Sequence, residues 1–538
     1  MISILEKKPL FSLLIVVIFM LLVHLDLPNI TIMEARNFIT MREMVQENHW
    51  LSTTMNGQPR YEKPPLPTWI TALSTIIFQS KSLWTLRFPT AMMVYITGVF
   101  AYLISLKINL SKQLSFINAL ITVTSFYIFA ITNEAPWDIY AHAFTLIAIY
   151  YLIQIFQSKS PLIKHGILVG FFLACSILSK GPVSIFAVLI PFLISYGITF
   201  KFGGLKKNTI PLLFTLSISL VIGLSWFVYI RFENPLDFSS IAKEEINNWA
   251  HYNTRPFYYY WSFFIQSGIW TLPALIGLFY PYIAKKTRFK QAYKFTFLWT
   301  LIAVILLSCI PEKKSRYLMP VLIPLALNTG FYIHYLIGNF KSIDRSWEKT
   351  IVYIGFGIVA VIGLLFPIAL YYILQGNPDG NIAAGIVLAL ILFSLSVLIF
   401  YYLKNKQVLH VFYSTVLFMI SALFFGPPFS VSIYKNPQFT SISELTKLEE
   451  NLAITTYSYF ELSPEFIWTY GDIIKDLDRK LNRVTENEFG LIVNEEDLSD
   501  FKENLPKGYK AKKITSYNHN FNTKQNPRLI IHYFILSK

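Results

Sequence analysis

Basic residues at the ends of apolar segments are the side chains in this sequence whose type and spacing best suit a chemical role. Three of the segments that carry them are PRYEKPPLP, LSKGP and PEKKSRYLMP. Arginine binds phosphate through a two-pronged guanidinium and lysine binds it as a point charge, so a cluster of both at a membrane surface can hold an anionic group. For each residue alone, contact with lipid headgroups is an equally good explanation. The group consists of Arg36, Arg42, Arg60, Lys63, Lys180, Arg255, Lys313, Lys314 and Arg316.

Two carboxylates are candidates for catalysis. Asp138 lies in PWDIYAHAF, at the start of an apolar segment, where an ionisable group is costly and usually functional. Glu34 begins a helical pattern in EARNFITMREMVQENHW. Either residue could instead serve only as the negative charge that the first turn of a helix favours. We predict catalytic roles for Glu34 and Asp138, with a first-turn role as the alternative for each.

A metal site is predicted from one histidine and one carboxylate. His251 and Glu62 lie near the basic motifs in sequence, and together with a phosphate oxygen of a substrate they could hold a divalent ion. The alternative for His251 is a hydrogen-bonding residue of a loop. The sequence has no glycine-rich nucleotide loop, no Walker motif and no Ser/His/Asp set with credible spacing. We therefore predict no organic cofactor and keep a divalent metal ion as a hypothesis.

The elements that must position these residues are membrane-spanning helices. Of the 538 residues, 54% are hydrophobic and only 14% are charged, compared with about 25% charged residues in soluble domains. The net charge is +15, yet residues 426–538 hold 14 Lys and Arg against 15 Asp and Glu. The positive excess therefore lies among the hydrophobic segments, which indicates membrane lipids as partners and argues against nucleic acid. The only two cysteines, Cys175 and Cys309, exclude a disulfide framework.

Thirteen apolar runs bounded by polar turns are candidate membrane spans. The loops that join alternate pairs of these runs carry 17 Lys and Arg, whereas the intervening short loops carry four. The positive-inside rule therefore places the N-terminus in the cytoplasm and residues 426–538 outside. The thirteen runs lie near 10–28, 84–106, 114–131, 137–156, 165–179, 183–200, 210–230, 261–283, 293–310, 317–336, 350–374, 382–403 and 408–425.

The chain is predicted to contain two domains. Residues 1–425 form a transmembrane domain that has an uncleaved first helix and two external loops, 29–82 and 231–260. In the first loop, apolar residues at helical spacing indicate an amphipathic helix at the membrane interface. Residues 426–538 return to a soluble composition, and their runs LAITTY, GLIVNEE and RLIIHYFIL alternate as strands do. We predict a polytopic α-helical membrane protein with external interfacial helices and a small C-terminal α/β domain on the external side.

Several of these motifs occur in the order seen in a known family. The stretch MEARNFITMREMVQENHWLSTTMNGQPRYEKPPLPTWITAL is followed by LRFPTA, PWDIYAHA, LSKGP, RPFYYY and KKSRYLMPVLIPLA. This pattern resembles the bacterial aminoarabinose lipid A transferases and their protein mannosyltransferase relatives, which are membrane glycosyltransferases of the C type (GT-C). The resemblance covers roughly residues 10–335, with EKPP as its most specific part. The later spans and the C-terminal domain are similar in layout only.

The resemblance implies roles for individual residues. Family members take a sugar from a polyprenyl-phosphate donor and transfer it, with inversion, to an acceptor on the external face. By position, Arg36 and Lys63 would hold the donor phosphate, and Lys180, Lys313 and Tyr317 would line the same cavity. We also predict that Arg316 contributes to binding of the donor phosphate. Asp138 would be an acidic residue of the site, and Glu62 with His251 would match a family metal site. The family usually begins its first external loop with Asp-Glu, and here Met33 replaces the first acid, which leaves Glu34 alone.

The chemistry of the transfer agrees with this set of residues. A departing polyprenyl phosphate needs cations that hold its developing charge, and it needs no proton. An attacking hydroxyl needs a base, whereas an attacking phosphate arrives ionised; the missing acid therefore favours a phosphate-bearing acceptor. We expect a hexosyl or pentosyl transferase of the bacterial cytoplasmic (inner) membrane that acts on a lipid A-like glycolipid, a surface glycan or a protein. The alternatives are a lipid-linked sugar flippase or transporter, and an oligosaccharide ligase.

Overall fold

The computed structural model describes residues 2–134, 136–376, 381–433, 436–522 and 525–538. These residues form two compact units, which we call the first and the second unit. The first comprises Met1–Asp26 and Tyr61–Phe429, and the second comprises Leu27–Arg60 and Ser430–Lys538. The break at 429/430 lies near the predicted domain boundary at 425/426. Residues 27–60, which include the start of the predicted first external loop, belong to the second unit.

The first unit is helical. Its α-helices are Ile2–Lys7, Pro9–Val17, Leu66–Phe78, Leu83–Lys107, Lys112–Thr124, Phe126–Glu134, Pro136–Gln157, Ile163–Lys180, Ile190–Thr199, Thr209–Glu233, Pro235–His251, Thr271–Gly277, Tyr280–Lys286, Lys290–Cys309, Met319–Asn339, Ser346–Gly376, Ile382–Lys404 and Val408–Ile433. Two π-helical turns, Ile18–Leu22 and Ile185–Leu189, interrupt the pattern. The 3₁₀ turns are Leu205–Lys207, Phe257–Tyr260, Phe263–Trp270, Ser315–Leu318 and Phe340–Ser342.

The predicted multi-pass architecture is confirmed, with fewer spans than the predicted thirteen. Among the described residues, nine helices are long and apolar enough to cross a membrane, and two bent helix pairs raise the number to 11. The predicted runs at 10–28 and 183–200 form the shorter apolar helices Pro9–Leu22 and Ile185–Thr199. Both contain a π turn, a local change of helix geometry that an apolar run does not reveal.

Two of the candidate spans lie deep within the first unit. The spans Pro136–Gln157 and Ser315–Ser342 are each 83% buried over their apolar windows, whereas Thr209–Glu233 and Ser346–Gly376 are 28% buried. Apolar side chains that stay exposed on the last two helices suit contact with lipid, because a helix that is apolar on all sides needs an apolar environment. The buried pair therefore provides the rigid part of the bundle on which functional residues can be positioned.

The second unit contains a five-stranded sheet. Its strands are Thr456–Ser458, Lys475–Asp476, Glu488–Asn494, Lys510–Asn518 and Ile530–Ser537. From edge to edge the order is 475–476, 456–458, 488–494, 530–537 and 510–518; the first three strands are parallel and the last two pairings are antiparallel. A separate hairpin pairs Thr54–Met55 with Gln58–Pro59.

The sheet is covered on both faces. Ile492 belongs to one apolar cluster and its neighbours Leu491 and Val493 to another, because successive side chains of a strand point to opposite faces. The covering helices of this unit are Ile32–Gln46, Leu445–Leu452, Pro464–Tyr470 and Leu498–Glu503, with 3₁₀ turns at Ile442–Glu444, Leu481–Arg483, Glu495–Asp497 and Pro527–Leu529. The predicted small C-terminal α/β domain is therefore confirmed.

The predicted amphipathic helix of the first external loop is present as Ile32–Gln46. Its residue Ile39 is completely buried in one of the two clusters of the second unit. The ring of Phe38 lies 5.6 Å from that of Trp468, between ring centroids. The apolar face that we had assigned to the membrane interface is thus buried against the helix Pro464–Tyr470, because that packing removes the same side chains from water.

Candidate functional site

Asp138 and Lys180 meet at one end of a pair of consecutive helices of the first unit, the end opposite the turn 158–162 that connects them. Asp138 lies in the first turn of Pro136–Gln157, and Lys180 is the last residue of Ile163–Lys180. The second helix ends there because Gly181 adopts a positive φ of 63°, which suits glycine. The Lys180 ammonium donates to the Asp138 carboxylate, and the two side chains are 14% and 5% exposed. Asp138 therefore occupies the first-turn position that was the alternative prediction. It also forms an ion pair with a cation of the basic group.

Tyr317 and Arg316 extend this pair. They lie in the 3₁₀ turn Ser315–Leu318 that leads into the buried helix Met319–Asn339. The Lys180 Nζ atom lies 5.3 Å from the centroid of the Tyr317 ring, and the guanidinium carbon of Arg316 lies 5.8 Å from the same ring. Both distances allow a cation–π contact. Four residues that the sequence predicted for the site are thus brought together: Asp138, Lys180, Arg316 and Tyr317.

Arg316 differs from Lys180 in its pairing, since Lys180 pairs with Asp138. The Nε atom of Arg316 is buried and has no hydrogen-bond partner in the described part of the chain. A buried donor without a partner costs free energy. A guanidinium with unused donors is well suited to bind two oxygens of a phosphate.

The loop before Tyr317 adds Glu312, which was not predicted, and Lys314, which is a member of the basic group. The Glu312 carboxylate accepts a hydrogen bond from the Tyr317 hydroxyl at 3.2 Å and pairs with the Lys314 ammonium at 2.6 Å. Lys314 also lies 4.9 Å from the centroid of the Tyr252 ring. Glu312 could not be predicted as a site residue, because its partners follow from the turn geometry and not from spacing.

Lys313 has a different environment from its neighbours. It is 2% exposed, and its ammonium donates to the backbone carbonyls of Ile310 at 2.5 Å and Arg255 at 3.0 Å. Burial lowers the pKa of Lys313. These contacts attach the 310–314 loop to the segment that precedes Pro256. Its predicted role in phosphate binding would require these two carbonyls to be released.

Lys63 lies at the start of the segment that leads into Leu66–Phe78, and within the described residues it pairs with one carboxylate. Its Nζ atom lies 3.6 Å from a carboxylate oxygen of Glu245, and the two side chains are 30% and 35% exposed. Glu245 belongs to the helix Pro235–His251 of the predicted second external loop. The charge of Lys63 acts on Lys180, so Lys63 lies within electrostatic range of the group around Asp138.

The predicted metal ligands have no completed ligand set. Glu62 is exposed, and His251 is the exposed last residue of its helix. In the residues that the structure describes, no group of three or more His, Cys, Asp and Glu side chains is arranged to hold a metal ion. Glu62 and His251 could therefore contribute at most to a site that a substrate oxygen completes.

His142, which was not among the predicted site residues, also lies at this end of the bundle. His142 is one helical turn beyond Asp138, and its Nδ1 atom hydrogen-bonds the Ser184 hydroxyl. Both residues are buried. The pair fixes the segment after Lys180 to the helix that carries Asp138. The spacing of four residues between Asp138 and His142 was the signal available in the sequence.

Glu34 and Arg36 are in the second unit. Glu34 is completely buried and forms a capping box with Thr31: its carboxylate accepts from the Thr31 N–H at 3.0 Å, and its own N–H donates to the Thr31 hydroxyl at 3.3 Å. The alternative first-turn role is thus realised at Glu34. The side chain of Arg36 is exposed, and its backbone carbonyl accepts a hydrogen bond from Arg60.

Two other members of the basic group stabilise the second unit from within. Arg42 donates to the carbonyls of Ile467, Trp468 and Asp472 at 3.1–3.2 Å, and burial lowers its pKa. Arg60 also donates to the Thr40 hydroxyl at 2.7 Å. Spacing alone could not separate these structural arginines from phosphate ligands, because their acceptors are backbone carbonyls and neutral side chains, which the spacing of charged residues does not reveal.

Comparison with known proteins gives sequence relatives for part of the chain. Residues 62–229 match the family model described as dolichyl-phosphate-mannose-protein mannosyltransferase. An uncharacterized protein of Aquifex aeolicus is 24% identical over 318 residues, which cover 58% of this chain and 60% of that protein. The undecaprenyl phosphate-alpha-4-amino-4-deoxy-L-arabinose arabinosyl transferase 2 of Pseudomonas fluorescens is 25% identical over 348 residues, which cover 62% of this chain and 57% of that protein. The chain thus spans less than two thirds of either relative.

A solved structure matches nearly the whole fold. The crystal structure of ArnT from Cupriavidus metallidurans bound to undecaprenyl phosphate superimposes with a TM-score of 0.69 at 15% sequence identity, over 98% of this chain and 97% of that one. The predicted GT-C-like fold is therefore confirmed. The resemblance to the aminoarabinose transferases and the protein mannosyltransferases is confirmed as well.

Proposed function

We propose that this multi-pass membrane protein is a glycosyltransferase that takes a hexosyl or pentosyl group from a polyprenyl-phosphate donor. The acceptor is a lipid A-like glycolipid, a surface glycan or a protein on the external face of the bacterial inner membrane. In this orientation the N-terminus is cytoplasmic and the second unit is external. Support comes from the sequence relatives, one of which is named as a transferase of an undecaprenyl-phosphate-linked sugar, and from the shared fold.

The observation that carries the proposal is the group of cations around Asp138 in the first unit. Lys180 and Arg316 both approach the ring of Tyr317, and Arg316 keeps a buried Nε atom without a partner in the described residues. The bond between the sugar C1 atom and the phosphate oxygen breaks with the electron pair on phosphate. Fixed cations at that oxygen stabilise the charge as it develops and do so without reorganisation.

Inversion requires the acceptor oxygen to attack C1 on the side opposite the phosphate. The new bond forms between that oxygen and C1, and the polyprenyl phosphate departs. A hydroxyl acceptor must lose its proton to a base, and Asp138 is the predicted catalytic carboxylate that belongs to the first unit. An acceptor phosphate needs no base, and Asp138 would then hold Lys180 in place. The roles predicted for Glu34, Arg36 and Lys313 stay predictions.

The metal hypothesis is part of the same proposal. A divalent ion held by Glu62 and His251 would need the donor phosphate as a further ligand, since two protein ligands leave most positions of an ion open. Its chemistry would be to neutralise and orient the phosphate. Glu62 and His251 would then restrict where the phosphate lies.

The test is transfer of a labelled sugar from undecaprenyl phosphate in membranes that contain the full-length protein. Wild type is compared with Arg316→Met, and Arg288→Met is the control, because Arg288 is an exposed cation of a predicted cytoplasmic loop. We expect Arg316→Met to lower transfer at least tenfold and Arg288→Met to leave it unchanged. Movement of intact lipid-linked sugar across vesicles without cleavage would indicate a flippase and overturn the proposal. Transfer of a preassembled chain in place of one sugar would indicate a ligase.

The natural substrates can be identified in a deletion strain. Loss of the enzyme should cause its lipid-linked donor to accumulate, and mass spectrometry of the polyprenyl phosphates then identifies the sugar. Comparison of the surface glycolipids and glycoproteins with those of the parent identifies the acceptor that lacks it. An unchanged set of lipid-linked sugars and surface glycans would contradict the proposal.

A further inference from the structure

We propose that Glu312 is a positioning residue of the proposed transfer reaction, which holds Tyr317 and through it the ammonium of Lys180. The inference rests on the proposed function, since it concerns the same group of cations. Glu312 would make no contact with the substrate. Its effect would be to keep one aromatic ring at a fixed place among three cations.

The position of Glu312 needs an explanation because a carboxylate near a phosphate site repels the phosphate. Glu312 is 7% exposed, so its charge is poorly screened by water. The Lys314 ammonium at 2.6 Å compensates that charge. The same oxygen accepts a hydrogen bond from the Tyr317 hydroxyl at 3.2 Å. This second bond connects Glu312 to the cations that surround the Tyr317 ring.

Tyr317 is the ring that the cations share. Lys180, Lys314 and the guanidinium of Arg316 lie 5.3, 5.6 and 5.8 Å from its centroid. A ring that is bonded at its hydroxyl cannot swing away from Lys180. Glu312 therefore fixes the place of the ring among the cations.

Three substitutions separate this role from a purely electrostatic one. Glu312→Gln removes the negative charge and keeps an oxygen that can accept the Tyr317 hydroxyl. Glu312→Ala removes both the charge and the acceptor. Tyr317→Phe keeps the ring and removes the hydroxyl that Glu312 holds. A positioning role predicts that Glu312→Gln is tolerated and that the other two variants share one defect.

The probe is undecaprenyl phosphate, titrated into the purified full-length protein in detergent and followed by tryptophan fluorescence, with thermal unfolding of each variant recorded in parallel. We expect Glu312→Gln to bind as tightly as wild type or more tightly, and Glu312→Ala and Tyr317→Phe to bind about tenfold more weakly, as loss of one hydrogen bond to a charged group predicts. The double variant Glu312→Ala/Tyr317→Phe should bind no more weakly than Tyr317→Phe alone.

Several results would overturn the inference. Equal affinities of Glu312→Gln and Glu312→Ala would leave only a charge effect, and defects that multiply in the double variant would mean that Glu312 does not act through Tyr317. If Glu312→Ala fails to accumulate, wild-type affinity of Tyr317→Phe is sufficient to refute the idea. Failure of the wild-type protein to bind undecaprenyl phosphate would instead refute the proposed function.

Discussion

Replacement of Lys63 by alanine is the perturbation that best separates binding from stability in this protein. The motif YEKPPLP places two prolines directly after Lys63, and they restrict the backbone of the residue before them. The ammonium lies 3.6 Å from Glu245, and the two side chains are 30% and 35% exposed. We predict that donor binding depends on Lys63 far more than folding does.

The substitution Lys63→Ala should have a small effect on the free energy of unfolding and a larger effect on donor affinity, because the Lys63–Glu245 ion pair is partly exposed to solvent. A solvent-exposed ion pair contributes about 0.2–1 kcal/mol, so Lys63→Ala should change the free energy of unfolding by less than about 1 kcal/mol. A charge-assisted hydrogen bond to a phosphate contributes about 1.5–3 kcal/mol, which corresponds to an affinity loss of about 10- to 150-fold. Lys63→Arg should recover only part of this loss, because a planar guanidinium does not occupy the place of a compact ammonium.

The assay is sugar transfer in membranes at limiting lipid-linked donor, with protein levels and thermal unfolding measured for each variant. Glu245→Gln is the matched control, since it removes the partner of Lys63 and keeps the cation; its donor affinity should equal or exceed that of wild type. Near-wild-type turnover of Lys63→Ala at limiting donor and normal protein level would show that Lys63 is only a surface cation. Our placement of the phosphate near it would then be wrong.

Three further predictions concern other parts of the molecule. Lys180→Met leaves Asp138 buried without its partner and should destabilise the protein by about 3–5 kcal/mol, and Asp138→Asn in the same chain should restore part of the loss in thermal unfolding. Alanine at Glu62 or His251 should lower the divalent metal bound to the purified protein, and unchanged metal content in both variants would remove the proposed site. A reporter fused after Lys538 should be active outside the cytoplasm; cytoplasmic activity would overturn the predicted orientation.

The membrane helices could be predicted from the sequence because an apolar run long enough to cross a bilayer needs little else to define it. The strands Glu488–Asn494 and Ile530–Ser537 were also visible, as alternating runs. The strand Lys510–Asn518 was not, since it lies at the sheet edge and begins with KAKK. Lysines on an edge strand discourage pairing with other chains, and they hide the apolar alternation that identifies a strand.

The candidate site was predictable in its residue types and only partly in its pairings. Asp138, Lys180 and Tyr317 come together because each lies where a helix begins or ends on the same side of the bundle. Their contacts join residues that are far apart in sequence, and spacing carries no information about such pairs. Glu245 was missed as the partner of Lys63 for this reason. Glu312 is close to Tyr317 in sequence, but their hydrogen bond depends on the geometry of the turn between them.

The capping box at Glu34 determines what a substitution there can reveal. The Glu34 carboxylate accepts from the Thr31 N–H at 3.0 Å, and glutamine completes a capping box as glutamate does, so Glu34→Gln removes the charge and keeps the helix start. If Glu34 takes a proton from the acceptor, turnover should fall about 100-fold or more while thermal unfolding stays unchanged. A small loss would instead support an acceptor that arrives ionised, as the replacement of the family acid by Met33 led us to expect. Thr31→Ala is the control: it keeps the charge and weakens the cap by about 1 kcal/mol, so an equal loss of turnover in this variant would show that only the start of the helix matters.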